Sequence, residues 1–363
     1  MLNKDIKKEI YRKSWKIINS MKNEIKENFQ APSIGVFIGH YNYPNVNAGL
    51  LSSFNYLKNF DGMDVMNILM ERAKIVNSRK SLSVKKSFDK SKEIVLAEKP
   101  VQTEIFLKKL PTIKLNLSKF TRPILIHAGL NKFKLVENPR IRHAVEKIID
   151  DEMKAQDSII KLYKYEDVDK ISQILSAGII GKDKKLVPTR WSITATDDIL
   201  SKNLINKIKS YNEITEFRVF HIIYLGNEFI IILYPSSWGF EMIESWGAEP
   251  SIDYELYFGR KKYANNIEGA YYAARLAVAE YLSKIKKQAS CTIMRLVHKE
   301  YFAPLGVWVI RNAVRKSFKQ YLKFSNIKET LNFIGSNYPF SKTFIIKSHI
   351  IPNLLQRKLN KFY

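Results

Sequence analysis

Apolar residues recur at helical spacing through residues 4–29, at Ile6, Ile10, Ile17, Ile18, Met21, Ile25 and Phe29, with Lys and Glu between them. The spacing predicts an amphipathic helix packed on the rest of the chain. Residues 33–39, SIGVFIG, read as a short strand, and the HYNYPNVNAG that follows carries a proline, asparagines and a glycine that exclude regular structure. The lysine- and serine-rich stretch 72–92 has few large apolar residues and reads as a mobile basic loop or a solvated helix end. Strand-like runs at 104–117, interrupted by Pro111, and at 122–127 precede helical patterns at 140–163 and 167–177, the second stopped by Gly178.

A hairpin is the clearest feature beyond them. Residues 216–225 and 228–234 are rich in Ile, Phe, Val and Tyr around Gly226-Asn227, a two-residue turn signature. Apolar residues on both faces place these strands in the middle of a sheet covered on both sides. An alanine-rich helix over 262–288, a strand at CTIMRLVHK and a helix over 308–322 complete the pattern. Helices and strands mix without regular alternation, which predicts an α+β fold with a mixed or largely antiparallel central sheet and helices packed around it. The expected organisation is an N-terminal amphipathic helix over 1–30, a core over 31–350 that can divide near 180–215, and a C-terminal tail over 351–363.

Charge changes the picture. The 363 residues hold 60 Lys plus Arg against 35 Asp plus Glu, a formal balance of +25. Such a chain is drawn to polyanions, and nucleic acid is the commonest one inside cells. The most apolar segment, 217–234, is broken by Arg218, His221, Gly226, Asn227 and Glu228, so no membrane span or membrane partner is expected. The start, MLNKDIKKEIYRK, lacks the apolar stretch of a secretory signal, and the expected location is cytoplasmic and nucleoid-associated. The single cysteine, Cys291, excludes an intrachain disulfide and any zinc site built from two or more cysteines; it reads as buried and inert. Residues 314–363 add ten basic side chains with Glu329 as the only acidic one.

The chain ends with Gln356, Leu359, Phe362 and Tyr363 in the pattern Q-x-x-[aliphatic]-x-x-[aromatic]-[aromatic]. This resembles the box by which DNA-processing proteins dock on the sliding clamp (PCNA). Across one tight helical turn Leu359 and Phe362 come onto the same side and can enter one apolar pocket, with Tyr363 at its rim and Gln356 fixing the register by a hydrogen bond. Arg357, Lys358 and Lys361 would suit an acidic clamp surface.

Three internal segments have compositions that packing alone does not require. Residues 39–49 follow a strand with His40, Tyr41, Tyr43, Asn45 and Asn47, groups able to hold a base or phosphate by stacking and hydrogen bonds. Residues 187–198, VPTRWSITATDD, alternate hydroxyls with apolar residues and end in paired carboxylates. Residues 236–247, SSWGFEMIESWG, carry Trp238, Trp246, Glu241 and Glu244. Together with EGAYYAARLA at 268–277 and PLGVW at 304–308, these segments closely resemble the archaeal Nre DNA-repair family, from about Pro32 to Tyr363. The resemblance implies a repair protein working with the sliding clamp, DNA and other repair proteins. Many members begin with a cysteine-rich zinc module, and no cysteine precedes Cys291 here, so no zinc is expected.

Two functions stay open. In one, Asp197, Asp198, Glu241 and Glu244 ligate magnesium or manganese, His40 acts as acid or base, and Arg190, Ser192, Thr194, Asn45, Asn47 and Arg275 hold phosphate or nucleotide in a polar pocket. The protein is then a metal-dependent phosphoesterase or nuclease acting on DNA ends or nucleotides. In the other it is a non-catalytic adaptor that binds DNA and recruits partners to the clamp. Plainer readings accompany these residues. Thr194 or Thr196 before Asp197 resembles a helix N-cap, Arg275 can pair with Glu268 or Glu280, and Trp191, Trp238 and Trp246 read as core.

Overall fold

The computed structural model describes residues 4–21, 26–54, 60–88, 90–115, 124–247 and 249–356. The fold is α+β, with two mixed sheets in place of a single one. They belong to two compact units, one comprising Met1–Ile199 with Phe302–Leu305 and the other Leu200–Tyr301 with Gly306–Tyr363.

The first unit runs α1 (Lys4–Met21), β1 (Asn28–Ile38), β2 (Asn45–Ser52), α2 (Val65–Ala73), β3 (Val76–Ser83), α3 (Ser91–Leu96), β4 (Val101–Leu107), β5 (Thr112–Leu115), β6 (Ile124–Leu135), α4 (His143–Asp150), α5 (Ala155–Leu162), α6 (Val168–Ser176) and the start of α7 (Thr189–Ile208). The amphipathic start is helical as expected but gives way to β1, in which Phe29 is buried. The expected helix over 140–163 is two helices, α4 and α5.

The sheet closes on itself. Its order is β3-β2-β1-β4-β6-β5, and β3 also pairs in parallel with β6. β4 and β5 lie in sequence along one edge of β6, Leu107 opposite Leu130 and Thr112 opposite His127, so they act as one strand broken at Pro111. The result is a five-stranded barrel. Its first strand serves two neighbours: Asn28 to Ser33 face β4, Ser33 to Ile38 face β2, and the register shifts between Ser33 and Gly35. At that crossing the Ser33 hydroxyl lies 2.9 Å from Ser52 Oγ and 2.7 Å from Thr103 Oγ1, joining three strands inside the wall. Val36, Ile38, Val46, Ala48, Leu50, Ile105 and Leu130 alternate into the interior.

Strand β3 corrects the expectation of a mobile loop over 72–92. NSRKSLS has little apolar alternation, since Ser78 takes a buried position where a larger side chain would signal a strand. Pairing on both edges, to β2 and to β6, holds it in the sheet.

The second unit continues with β7 (Phe217–Tyr224), β8 (Asn227–Tyr234), β9 (Gly239–Ser245), β10 (Ser251–Glu255), α8 (Gly269–Lys284), β11 (Ser290–Val297), α9 (Trp308–Ser317), β12 (Leu322–Phe324), α10 (Ile327–Asn337), α11 (Ser341–Lys347) and α12 (Ile350–Gln356). Its order is β10-β9-β11-β8-β7-β12. Strand β8 is covered on both faces as its composition predicts. Phe229, Ile231 and Leu233 pack with α8 and α9, while Ile230, Ile232 and Tyr234 pack with α10, α11 and α12. The hairpin turn sits one residue earlier than its signature, at Leu225 and Gly226, whose φ of 50° and 70° fit a tight two-residue turn. Asn227 instead opens β8, its amide donating to the carbonyls of Tyr224 and Leu225.

The tail expected from 351 begins inside α12, where Ile350 and Ile351 are buried. No helix among the described residues is long and apolar enough to cross a membrane.

Candidate nucleic-acid interface

Two of the three singled-out segments meet in the first unit. Pro188 ends an extended approach, and its carbonyl accepts from the amides of Trp191 and Ser192, so α7 starts at Thr189. The Thr189 hydroxyl oxygen accepts from Ile38 N at 2.9 Å, satisfying a β1 amide that has no strand neighbour on that side. This anchors the first turn of α7 beside the β1–β2 loop. The Trp191 ring lies 5.2 Å from the Tyr43 ring, and His40 lies 4.2 Å from Tyr41.

Three of these rings remain open to solvent: Tyr41 at 73 %, Tyr43 at 53 % and Trp191 at 47 %. Trp191 and Trp246 are therefore not core residues; among the three tryptophans expected there, only Trp238 is buried. Asn45 and Asn47 lead out of the loop along β2, Asn45 exposed and Asn47 half-buried. Backbone bonds tie basic segments to the same loop. Val84 N donates to Pro44 O at 2.9 Å, and Leu186 N donates to Val84 O at 2.9 Å. Lys85 and Lys86 thus follow the residue that bonds to the loop, and the lysines of 182–185 precede Leu186, which bonds to that same residue; all of them are exposed. Lys185 is held by Asp183 at 2.8 Å, and that contact keeps the Asp183 carboxyl below its ordinary range. Lys85, Lys182 and Lys184 make no ion pair among the described residues.

The remaining residues of that segment face other surroundings. Ser192 is buried and donates to Thr189 O at 3.0 Å, and Thr194 donates to Arg190 O at 3.3 Å, so both hydroxyls are turned back on the helix. Arg190 is exposed on its first turn. Asp197 and Asp198 lie in the interior of α7, not at a helix start, which overturns the N-cap reading of Thr194 and Thr196. Asp197 is fully buried and Asp198 half-buried. Consecutive helical positions do not face each other, and here one carboxylate is on a buried position and the next on a half-buried one.

The third segment belongs to the second unit and is occupied by structure. Glu241 is fully buried. It accepts from Thr292 Oγ1 at 2.6 Å, from the Ser348 hydroxyl, and from the amides of His349 and Ile350 at 2.8 and 3.1 Å. It thereby ties the start of α12 to the sheet. Glu244 pairs with Arg295 Nη1 at 2.5 Å and accepts from Trp246 Nε1 at 3.1 Å. Arg275 is buried with Glu255 at 2.6 Å and Ser201 Oγ at 3.0 Å, a carboxylate the sequence did not single out. Glu280 takes Arg315 in a two-pronged pair. Among the described residues no group of three or more His, Cys, Asp or Glu side chains converges as a cation site. An open cleft of about 440 Å³ in this unit is lined by Phe340, Phe344, Ile346 and the Glu249–Lys347 pair and includes none of the expected residues.

Leu359, Phe362 and Tyr363 lie outside the described residues, as does the side chain of Gln356. The aromatic character of the loop was legible in HYNYP, whereas the exposure of Trp191 was not, because its apolar neighbours suggested burial. Lys182 and Lys184 had only the GKDKK run as a signal.

Fold and site together define a two-unit α+β protein whose candidate interface is assembled on the loops of a β-barrel. Residues 6–251 match the family description "Archaeal Nre, N-terminal" and residues 255–362 match "Archaeal Nre, C-terminal". The chain belongs to the archaeal Nre family. It is 32% identical to a protein named DNA repair protein NreB from Archaeoglobus fulgidus, over 90% of both chains. It is also 32% identical to DNA repair protein NreA from Haloferax volcanii, over 83% of this chain and 82% of that one. No solved structure matches it significantly.

Proposed function

We propose that this chain is a DNA repair protein that works as a DNA-binding adaptor tethered to the sliding clamp, not as a hydrolase built on its paired carboxylates. The observation that carries the reading is Glu241: a carboxylate taking four hydrogen bonds from Thr292, Ser348, His349 and Ile350 has its acceptor sites committed to holding α12. The repair role follows from relatives named for it at 32% identity over most of their length. The tether rests on Gln356, Leu359, Phe362 and Tyr363. DNA attraction rests on the +25 balance and on the exposed aromatic and lysine side chains of the first unit.

An end-labelled DNA assay tests it. Nicked, gapped and 5′- or 3′-phosphorylated substrates, and free nucleotides, are incubated with the full chain in magnesium or manganese. The adaptor leaves every substrate intact while retaining it in a salt-sensitive complex. A new product that Asp197→Asn with Asp198→Asn fails to make would establish the enzyme instead.

A further inference from the structure

We propose that the β-barrel of the first unit binds single-stranded DNA at its β1–β2 loop, with unpaired bases stacking on Tyr41, Tyr43 and Trp191 and the phosphates following Lys85, Lys182 and Lys184. The proposal deepens the DNA-binding reading above and rests on it.

Connectivity is the first support. With β4 and β5 counted as one strand, the barrel runs β1-β2-β3-β6-β4 and back to β1; β3 and β6 are parallel, the other pairs are antiparallel, and α3 lies between the third and fourth strands. That is the connectivity of the oligonucleotide- and oligosaccharide-binding barrel, whose ligands lie on the second and third strands and the first-to-second-strand loop. A fold alone assigns no ligand; the side chains placed on it do.

Among the described residues, the loop at that position is the barrel loop with the exposed rings. A folded chain gains by burying aromatic surface, yet Tyr41, Tyr43 and Trp191 stay 47–73 % exposed, in two ring pairs that share one loop, His40–Tyr41 and Tyr43–Trp191. Side chains of His40, Asn42 and Asn45 interleave with them, so the surface is not an apolar patch suited to a protein core or a lipid. Lys85, Lys182 and Lys184, with no acidic partner among the described residues, flank it on the segments joined through Val84. Aromatic faces ringed by cations match bases and phosphates together.

The wall below the loop continues the track. On the outer face Phe37, Gly49 and Arg79 form one row across β1, β2 and β3, and Asn47 and Ser81 belong to the next. A Cβ on Gly49 would come within 2.1 Å of Ser78 O, so only glycine fits at the middle of the row, where it is buried between Phe37 and Arg79. The Arg79 guanidinium sits 5.2 Å over the Phe37 ring. Duplex DNA keeps its bases stacked inward and offers little to ring faces, which is why the rings favour an unpaired strand.

Fluorescence anisotropy of the full chain tests this with a labelled oligo-dT of about 20 nucleotides, several times the smallest site of such a barrel, a blunt duplex of equal length, and an oligo-U RNA. The single strand of DNA is expected to bind at least about tenfold more tightly than the duplex. Tyr43→Ala and Trp191→Ala each weaken it about tenfold, the size of one lost stacking contact. Phe258→Ala, which removes an exposed ring of the other unit, leaves it unchanged. Lys182→Ala with Lys184→Ala lowers the slope of log affinity against log salt by about 0.7 per lysine. Photocrosslinking of 5-iodouracil DNA to the unsubstituted chain is expected at residues 40–45 or 190–191, and it reads the site without any substitution. Equal affinity for both DNA forms, tighter binding of RNA than of DNA, unchanged affinity in the Tyr43/Trp191 double variant, or crosslinks confined to the second unit would each overturn the proposal while DNA binding stands. Binding of no nucleic acid at low salt would overturn both.

Discussion

Tyr43 and Trp191, 148 positions apart in sequence, stand with ring centroids 5.2 Å apart at an interplanar angle of 50°, and each keeps about half its surface open. The relationship depends on two backbone anchors: the Thr189 hydroxyl on Ile38 N, and Val84 between Pro44 and Leu186. A loop and a helix start that carry no strong packing signal of their own are thereby held in one surface. Thr189→Val removes the first anchor while preserving shape. We expect it to cost about 1 kcal/mol, the net worth of one hydrogen bond, read as a lower urea midpoint; no change in midpoint would show that the bond does not set the position of α7.

Glu241 should behave as a structural group. Glu241→Ala leaves the Thr292 hydroxyl of β11, and the Ser348 hydroxyl and the His349 and Ile350 amides at the start of α12, without this acceptor, and a loss of about 3 kcal/mol or more is expected. Urea unfolding followed by circular dichroism measures it. A variant as stable as the parent would contradict the assignment and reopen a functional role for this carboxylate.

Arg275 and Glu255 form a buried pair, with Glu255 also accepting from Trp238 Nε1 at 3.1 Å. Glu255→Gln keeps an acceptor for the indole but removes the carboxylate that faces the guanidinium at 2.6 Å, at an expected loss of about 3 kcal/mol. Arg275→Met with Glu255→Gln should recover part of that loss. A double-mutant cycle in which the two losses simply add would show that the pair is not coupled.

Cys291 offers an internal reporter. Burial pushes its thiol well above the ordinary range, with the Glu241 carboxylate adding in the same direction. The thiolate, not the thiol, reacts. Native protein at neutral pH is therefore expected to resist maleimide and to label fully once unfolded in urea. Rapid labelling of the native chain would contradict the packing of β11 between β8 and β9.

The terminal box makes its own prediction. A peptide of the last twelve residues is expected to bind the sliding clamp in calorimetry with moderate affinity, because a free tail is ordered on docking. Phe362→Ala in that peptide should abolish the heat. No heat with the intact peptide would remove the tether from the account.

Periodicity revealed the elements whose side chains alternate strongly. β8, with Phe229 to Tyr234 buried throughout, could only be a central strand, and Asp167 capping α6 through Lys170 N matched its boundary. β3 escaped because its interior position is a serine, and the barrel escaped with it, since closure depends on β3 meeting β6 through partners 50 positions apart. The site was legible as residue types and not as partners. Asp197 and Asp198 look like a ligand pair in sequence, but consecutive positions on a helix do not face each other. Arg275 found Glu255 through the β10–α8 connection, a contact that no spacing along the chain announces. Trp191 shows the converse: an indole that reads as core is left open by the loop beside it.

The most direct test of the account is the salt dependence of DNA binding by the full chain, with the end-labelled DNA recovered afterwards and sized. The account predicts a complex whose log affinity falls linearly with log salt, as several phosphate contacts require, and DNA recovered at its original length in magnesium or manganese. Absence of a complex at low salt would contradict DNA binding, and shortened or dephosphorylated DNA would contradict the adaptor.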